Sequence, residues 1–182
     1  MSDKTIRQFD AAFTLCRDMY EKKLQDYGAS WRVMRVPSLT DQLYIKAKRI
    51  RTLETTGESR VGDGVLTEFI AIVNYGIMAL IQLRLPDSDR CDLSTEQALE
   101  LYDTEAEAAR TLMLAKNHDY GEAWRDMRQC SFTDIILTKL NRIKEIEGND
   151  GRVSVSEGVA SNYQDIINYA IFAIIKLTNP ED

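Results

Sequence analysis

Residues 63–83 read DGVLTEFIAIVNYGIMALIQL, and residues 157–177 read EGVASNYQDIINYAIFAIIKL. Both stretches are apolar around most of their circumference and confine their few polar residues to a stripe. Their β-branched content would suit strands, but each run is long and neither contains a hairpin turn, so the pattern predicts buried helices. Upstream lie amphipathic stretches, roughly 4–26 and 95–119, rich in Ala, Leu, Met, Glu and Lys. These are good helix formers. Gly28 and Gly121 follow them, where a left-handed glycine commonly ends a helix. SLTD at 38–41 and SFTD at 131–134 each place an acid three residues after Ser. That Asp version of a capping box predicts a middle helix reaching about Leu53 or Ile146.

The predicted helices therefore come in two sets of three, and the wording between them repeats as well. KLQDYGASWRVMR at 23–35 returns as KNHDYGEAWRDMR at 116–128. Asp26 and Asp119, Trp31 and Trp124, Asp41 and Asp134, Lys46 and Lys139, and Arg49 and Arg142 all stand 93 positions apart. One inserted residue later, the third segments align. Two tandem copies of one supersecondary unit explain this register. The expected architecture is an all-α helical bundle of two repeats related by an approximate two-fold. The first repeat, 1–85, is the degenerate one and the second, 95–182, the better kept, with both packed as one domain. RLPDSDRCDLSTEQ at 84–97, punctuated by Pro86, is the connection.

Composition narrows the partners. The formal net charge of −6 argues against tight, sequence-blind nucleic-acid binding, but a few focused cations suffice for one phosphate chain. Three cysteines without CxxC spacing argue against a disulfide framework and for a reducing compartment. The N-terminus lacks an apolar signal core, and the apolar run at 69–83 is short for a bilayer. A cytoplasmic protein without a membrane partner is expected, and a homo-oligomer stays open.

The polar stripe of the last segment carries the candidate chemistry. At about 100° per residue from Glu157, Ser161 lies about 40° round, Asp165 about 80° and Asn168 about 20°. Lys139 and Arg142, three apart on the preceding helix, can answer the two acids. One reading is a buried ion-pair network that fixes helix register. The other is a pocket in which Glu157 and Asp165 hold a divalent cation such as Mg²⁺ and activate water. Lys139 and Arg142 then hold phosphates, and Asn168 orients the ligand. In the first unit Asp63 replaces Glu157, Asn74 matches Asn168, Ala71 stands in for Asp165, and Glu68 falls where Asn162 is. Loss of a ligand there predicts a weaker site. In the repeated phrase, Asp-Tyr-Gly can be a helix end with Trp31 and Trp124 as core plugs. Alternatively, Trp124 with Arg125 and Arg128 can stack a base and fork a phosphate, and Lys116 can face an anion. Trp31, Arg32, Arg35 and Lys23 are the matching residues.

Lys116, Asp119, Tyr120, Gly121, Trp124, Lys139, Arg142, Glu157, Gly158, Tyr163, Asp165, Asn168 and Tyr169 together form a pattern. It resembles the nucleotide-modification-associated domain 1 family of bacteria and phages. The resemblance is dense in the second unit and partial in the first. It implies a role associated with nucleotide or DNA-base modification. The repeated phrase around Tyr120 and Trp124 is expected to border the same cleft as Glu157, Asp165 and Asn168, with a nucleotide or other phosphorylated small molecule as ligand. A more distant likeness to the MazG-type all-α nucleoside triphosphate pyrophosphatases implies Mg²⁺-dependent phosphoanhydride hydrolysis. The paired leading-helix glutamates of that type have no clear counterpart, since Glu105 and Glu107 are two apart and do not share a helical face. A non-catalytic nucleotide sensor or assembly module is the alternative.

Overall fold

A computed structural model describes residues 3–58, 64–154 and 157–181. Its helices are α1 (Asp3–Tyr27), α2 (Val36–Thr56), α3 (Val65–Arg84), α4 (Thr95–Tyr120), α5 (Gln129–Gly148) and α6 (Val159–Thr178). One-turn 3-10 helices at Ser30–Val33 and Ala123–Asp126 precede α2 and α5, and there is no strand among the described residues. The two apolar helices, α3 and α6, pack against each other at the centre. Each leans on its own middle helix, and α2 packs on α5. By length and composition α3 could cross a membrane, yet 72% of its apolar window is buried inside the bundle.

The helix ends follow local chemistry. At Gly28, φ is +66° and its N–H reaches Leu24 O at 2.8 Å, so glycine supplies the left-handed residue that stops α1. The expected caps at Ser38 and Ser131 are not used. Arg35 and Arg128 are the extended residues before α2 and α5, so each serine already lies inside its helix. The chain leaves the 3-10 turn extended and enters the helix at once, with Pro37 in the first turn where its missing N–H costs nothing. A complete capping box does form at Ser94 and Gln97, opening α4 inside the stretch read as connection.

The two-fold is visible atom by atom. Arg17 pairs with Asp103, and Arg110 with Asp10, each at 2.7 Å. Lys144 pairs with Asp41, and Arg51 with Asp134. Thr40 Oγ1 donates to Glu147 at 2.7 Å, and Thr133 Oγ1 donates to Glu54 at 2.9 Å. In each case the two partners exchange units while the 93-residue offset is kept. That is the reciprocity of an isologous interface, here written into one chain.

Glu54 and Glu147 are half-buried, and burial raises the carboxyl pKa of both, against the threonine hydrogen bonds that lower it. A raised folded-state pKa means that the folded chain binds these protons more readily than the unfolded one, so both acids oppose folding at neutral pH and less so in acid. A Glu54→Gln/Glu147→Gln chain is expected to gain stability over the parent at pH 7. That advantage should shrink as urea unfolding is repeated towards pH 5. A gap that widens on acidification would contradict the assignment.

Candidate functional site

Two helical stripes face each other in the second unit. On α4, Met113, Lys116, Asn117 and Tyr120 recur at the i, i+3, i+4, i+7 spacing of one helix face. On α6, Asp165, Asn168, Tyr169 and Phe172 do the same. With Gly121, Ala123, Trp124 and Met127 they line a cavity of about 340 Å³. Gly121, at φ +64°, ends α4 and turns the chain so that Trp124 lies flat on Phe172, with centroids 4.4 Å apart and planes 5° from parallel.

Asp165 is the buried charge of this wall. Lys116 Nζ donates to its Oδ1 and Lys139 Nζ to its Oδ2. The Asp165 side chain is 7% exposed, Lys139 14% and Lys116 43%, so the negative charge is deep and one cation reaches towards solvent. Burial alone would lower the Lys116 pKa. The Asp165 hydrogen bond, with the charges of Asp165, Glu157 and Tyr169, outweighs it and leaves the pKa raised. Lys116 is therefore a firm cation at neutral pH. Tyr169 is pushed up by burial and then by the Asp165 charge.

Several sequence expectations move. Glu157 precedes the Gly158 cap, so it is outside α6 and does not share the stripe of Asp165. It is exposed and lines a separate depression with Arg142, which is also exposed. Trp124 offers no free face for stacking, because Phe172 covers one and the Arg125 guanidinium sits 4.4 Å from the ring centroid. Arg125 itself turns away from the cavity to Glu122, Thr5 and Gln8, tying the second unit to α1. Arg128 is exposed at the start of α5 and is not in the cavity wall. Lys116, Tyr120, Trp124, Asp165 and Asn168 do converge, with Lys139 behind Asp165. Sequence reasoning missed Met113, Asn117 and Phe172 as lining residues, although the helical spacing from Lys116 and Asp165 points to them.

A divalent cation fits this donor set poorly. Both Asp165 oxygens are already held by ammonium groups, and among the described residues no cluster of three or more Asp, Glu, His or Cys stands ready to coordinate a metal. Glu105 is buried and paired with Arg84, and Glu107 is solvent-exposed near Arg110, so these two acids form no joint site.

The first unit has rebuilt its charge cluster. Ala71 brings no acid, but Glu68, one turn earlier on α3 and 2% exposed, is reached by Lys46 and Arg49. These cations are the counterparts of Lys139 and Arg142. The longer glutamate compensates for its position, so the unit keeps a buried carboxylate; its cavity is smaller, about 180 Å³. Asp63 lies outside the described residues.

The family model for nucleotide modification associated domain 1 matches the chain twice, at residues 23–83 and 116–177. These segments cover more than half of the chain, which therefore belongs to that family, in two copies. No curated protein and no solved structure matches it.

Proposed function

We propose that this two-copy nucleotide modification associated domain binds a nucleotide in the cavity of its second unit and holds it without hydrolysing it. The observation that carries the reading is Asp165, a buried anion clasped by two lysines in the wall of a cavity that Tyr120, Trp124, Tyr169 and Phe172 also line. An ammonium carries three N–H donors, so Lys116 can keep its bond to Asp165 and offer another to a phosphate oxygen in a charge-assisted hydrogen bond. Tyr120 at the rim, 76% exposed, and half-buried Tyr169 supply rings for the base. The volume lies at the small end of ligand pockets, roughly 300–1,000 Å³. Holding is favoured over hydrolysis because Asp165 is tied to its lysines, which leaves it unable to act as a base or metal ligand as it stands.

Thermal unfolding in the presence of ribo- and deoxynucleoside triphosphates, with and without Mg²⁺, tests this. A ligand at a hundred times its Kd stabilises by about 2.7 kcal/mol, a readily measured rise in Tm. The expected result is a rise with a nucleotide that is lost in Lys116→Met and Tyr120→Ala. No rise with any nucleotide would overturn the reading. Release of phosphate or pyrophosphate in the same mixtures would replace it with the phosphohydrolase alternative.

A further inference from the structure

Asn74 and Asn168 occupy equivalent places on α3 and α6 and make the same first hydrogen bond. Asn74 Nδ2 donates to Cys16 O, and Asn168 Nδ2 donates to Ala109 O, both at 3.0 Å. Their carbonyl oxygens then differ. Asn74 Oδ1 accepts from the Tyr102 hydroxyl at 2.8 Å, across the two-fold from α4. The counterpart of Tyr102 is Phe9 on α1, which packs beside Phe172 with ring centroids 6.0 Å apart and has no hydroxyl to give. Asn168 Oδ1 is buried without a partner, on a residue 5% exposed that lines the second unit's cavity. A buried acceptor left unmatched is unfavourable and calls for an explanation.

We infer that Asn168 Oδ1 is kept open for a hydrogen-bond donor of the ligand, and that this donor is an N–H on the edge of a nucleobase. The inference rests on the nucleotide reading above and adds a specificity residue to it. Asn168 lies one helical turn from Asp165 along α6 with Phe172 one turn further on, and all three line the cavity, so away from the lysine-held carboxylate a flat heterocycle is better matched than a charged phosphate. A site built to bond an N–H discriminates strongly against a ligand that lacks one, because the acceptor is then left buried and unpaired.

Phe9→Tyr tests this by giving the second unit the hydroxyl that the first already has. Wild type and variant are titrated calorimetrically with the four deoxynucleoside triphosphates and with inorganic triphosphate. The wild type is expected to prefer one base and to lose at least tenfold in affinity when the donor N–H of that base is methylated, a measurement that needs no variant. Phe9→Tyr is expected to bind that nucleotide at least tenfold more weakly, to bind inorganic triphosphate unchanged, and to melt higher than the parent. Unchanged nucleotide affinity in Phe9→Tyr, or indifference to N-methylation, overturns the assignment while leaving nucleotide binding intact. A tenfold loss with a dideoxy sugar and none with the methylated base assigns the donor to the sugar and also overturns it. If no triphosphate binds the wild type, the nucleotide reading fails and this assignment with it.

Discussion

Replacing Asp165 by Asn is expected to cost about 3 kcal/mol of folding stability. The change is nearly isosteric, so packing is preserved, but two ammonium groups lose the one carboxylate between them. Breaking a buried pair from one side typically costs about 3–5 kcal/mol, and the solvent-reaching Lys116 puts this case at the lower end. Adding Lys139→Met, which removes the more buried of the two cations, should restore most of the loss. Urea unfolding of the three chains checks both steps. A stable single variant, or a double variant no better than the single, would show that Asp165 does not balance this pair.

Gly76→Ala is expected to cost about 1–3 kcal/mol of stability through overpacking in the core. A Cβ on Gly76 would meet Ile167 Cγ1 at 2.8 Å, and Ile167 is fully buried on α6. The two-fold shows how the contact is balanced: the counterpart of Gly76 is Ala170, and the counterpart of Ile167 is Val73. The smallest residue stands opposite the larger branched one, and alanine corresponds to the smaller valine. Shortening Ile167 to Val in the Gly76→Ala chain should therefore recover most of the stability, read as the urea midpoint. Failure to recover would locate the strain elsewhere along α3 and α6.

Much of this fold can be read from periodicity and self-similarity. The 93-residue register predicts six helices in two sets, and the apolar runs identify α3 and α6 as the pair that must hide each other. Lys139 answering Asp165 is also visible in the sequence. Helix starts are less so, because Ser38 and Ser131 have the residue types of caps while the preceding 3-10 turn sets the true start. On α6 the cap is Gly158, one residue later than the pattern suggests, so Glu157 falls outside the helical stripe. The charges at 10, 17, 41 and 51 recur at 103, 110, 134 and 144, yet which meets which depends on the two-fold and not on the chain. Arg125 joins α1 for the same reason. The exchange of Asp165 for Glu68 in the first unit, and of Tyr102 for Phe9 beside Asn168, is legible only once both copies are laid on one structure. There a side chain's absence in one copy exposes the unmatched atom it would have covered.

The second unit, and not the first, is proposed to carry the nucleotide. Each unit has one tryptophan, and Trp124 lies in the wall of the proposed site. A Trp31→Phe chain therefore reports from the second unit alone. Titrated with the nucleoside triphosphate that most raises Tm, its emission is expected to change and saturate at one equivalent per chain, with inorganic triphosphate competing. A silent Trp124, or an equal response from Trp31 in a Trp124→Phe chain, would contradict the account.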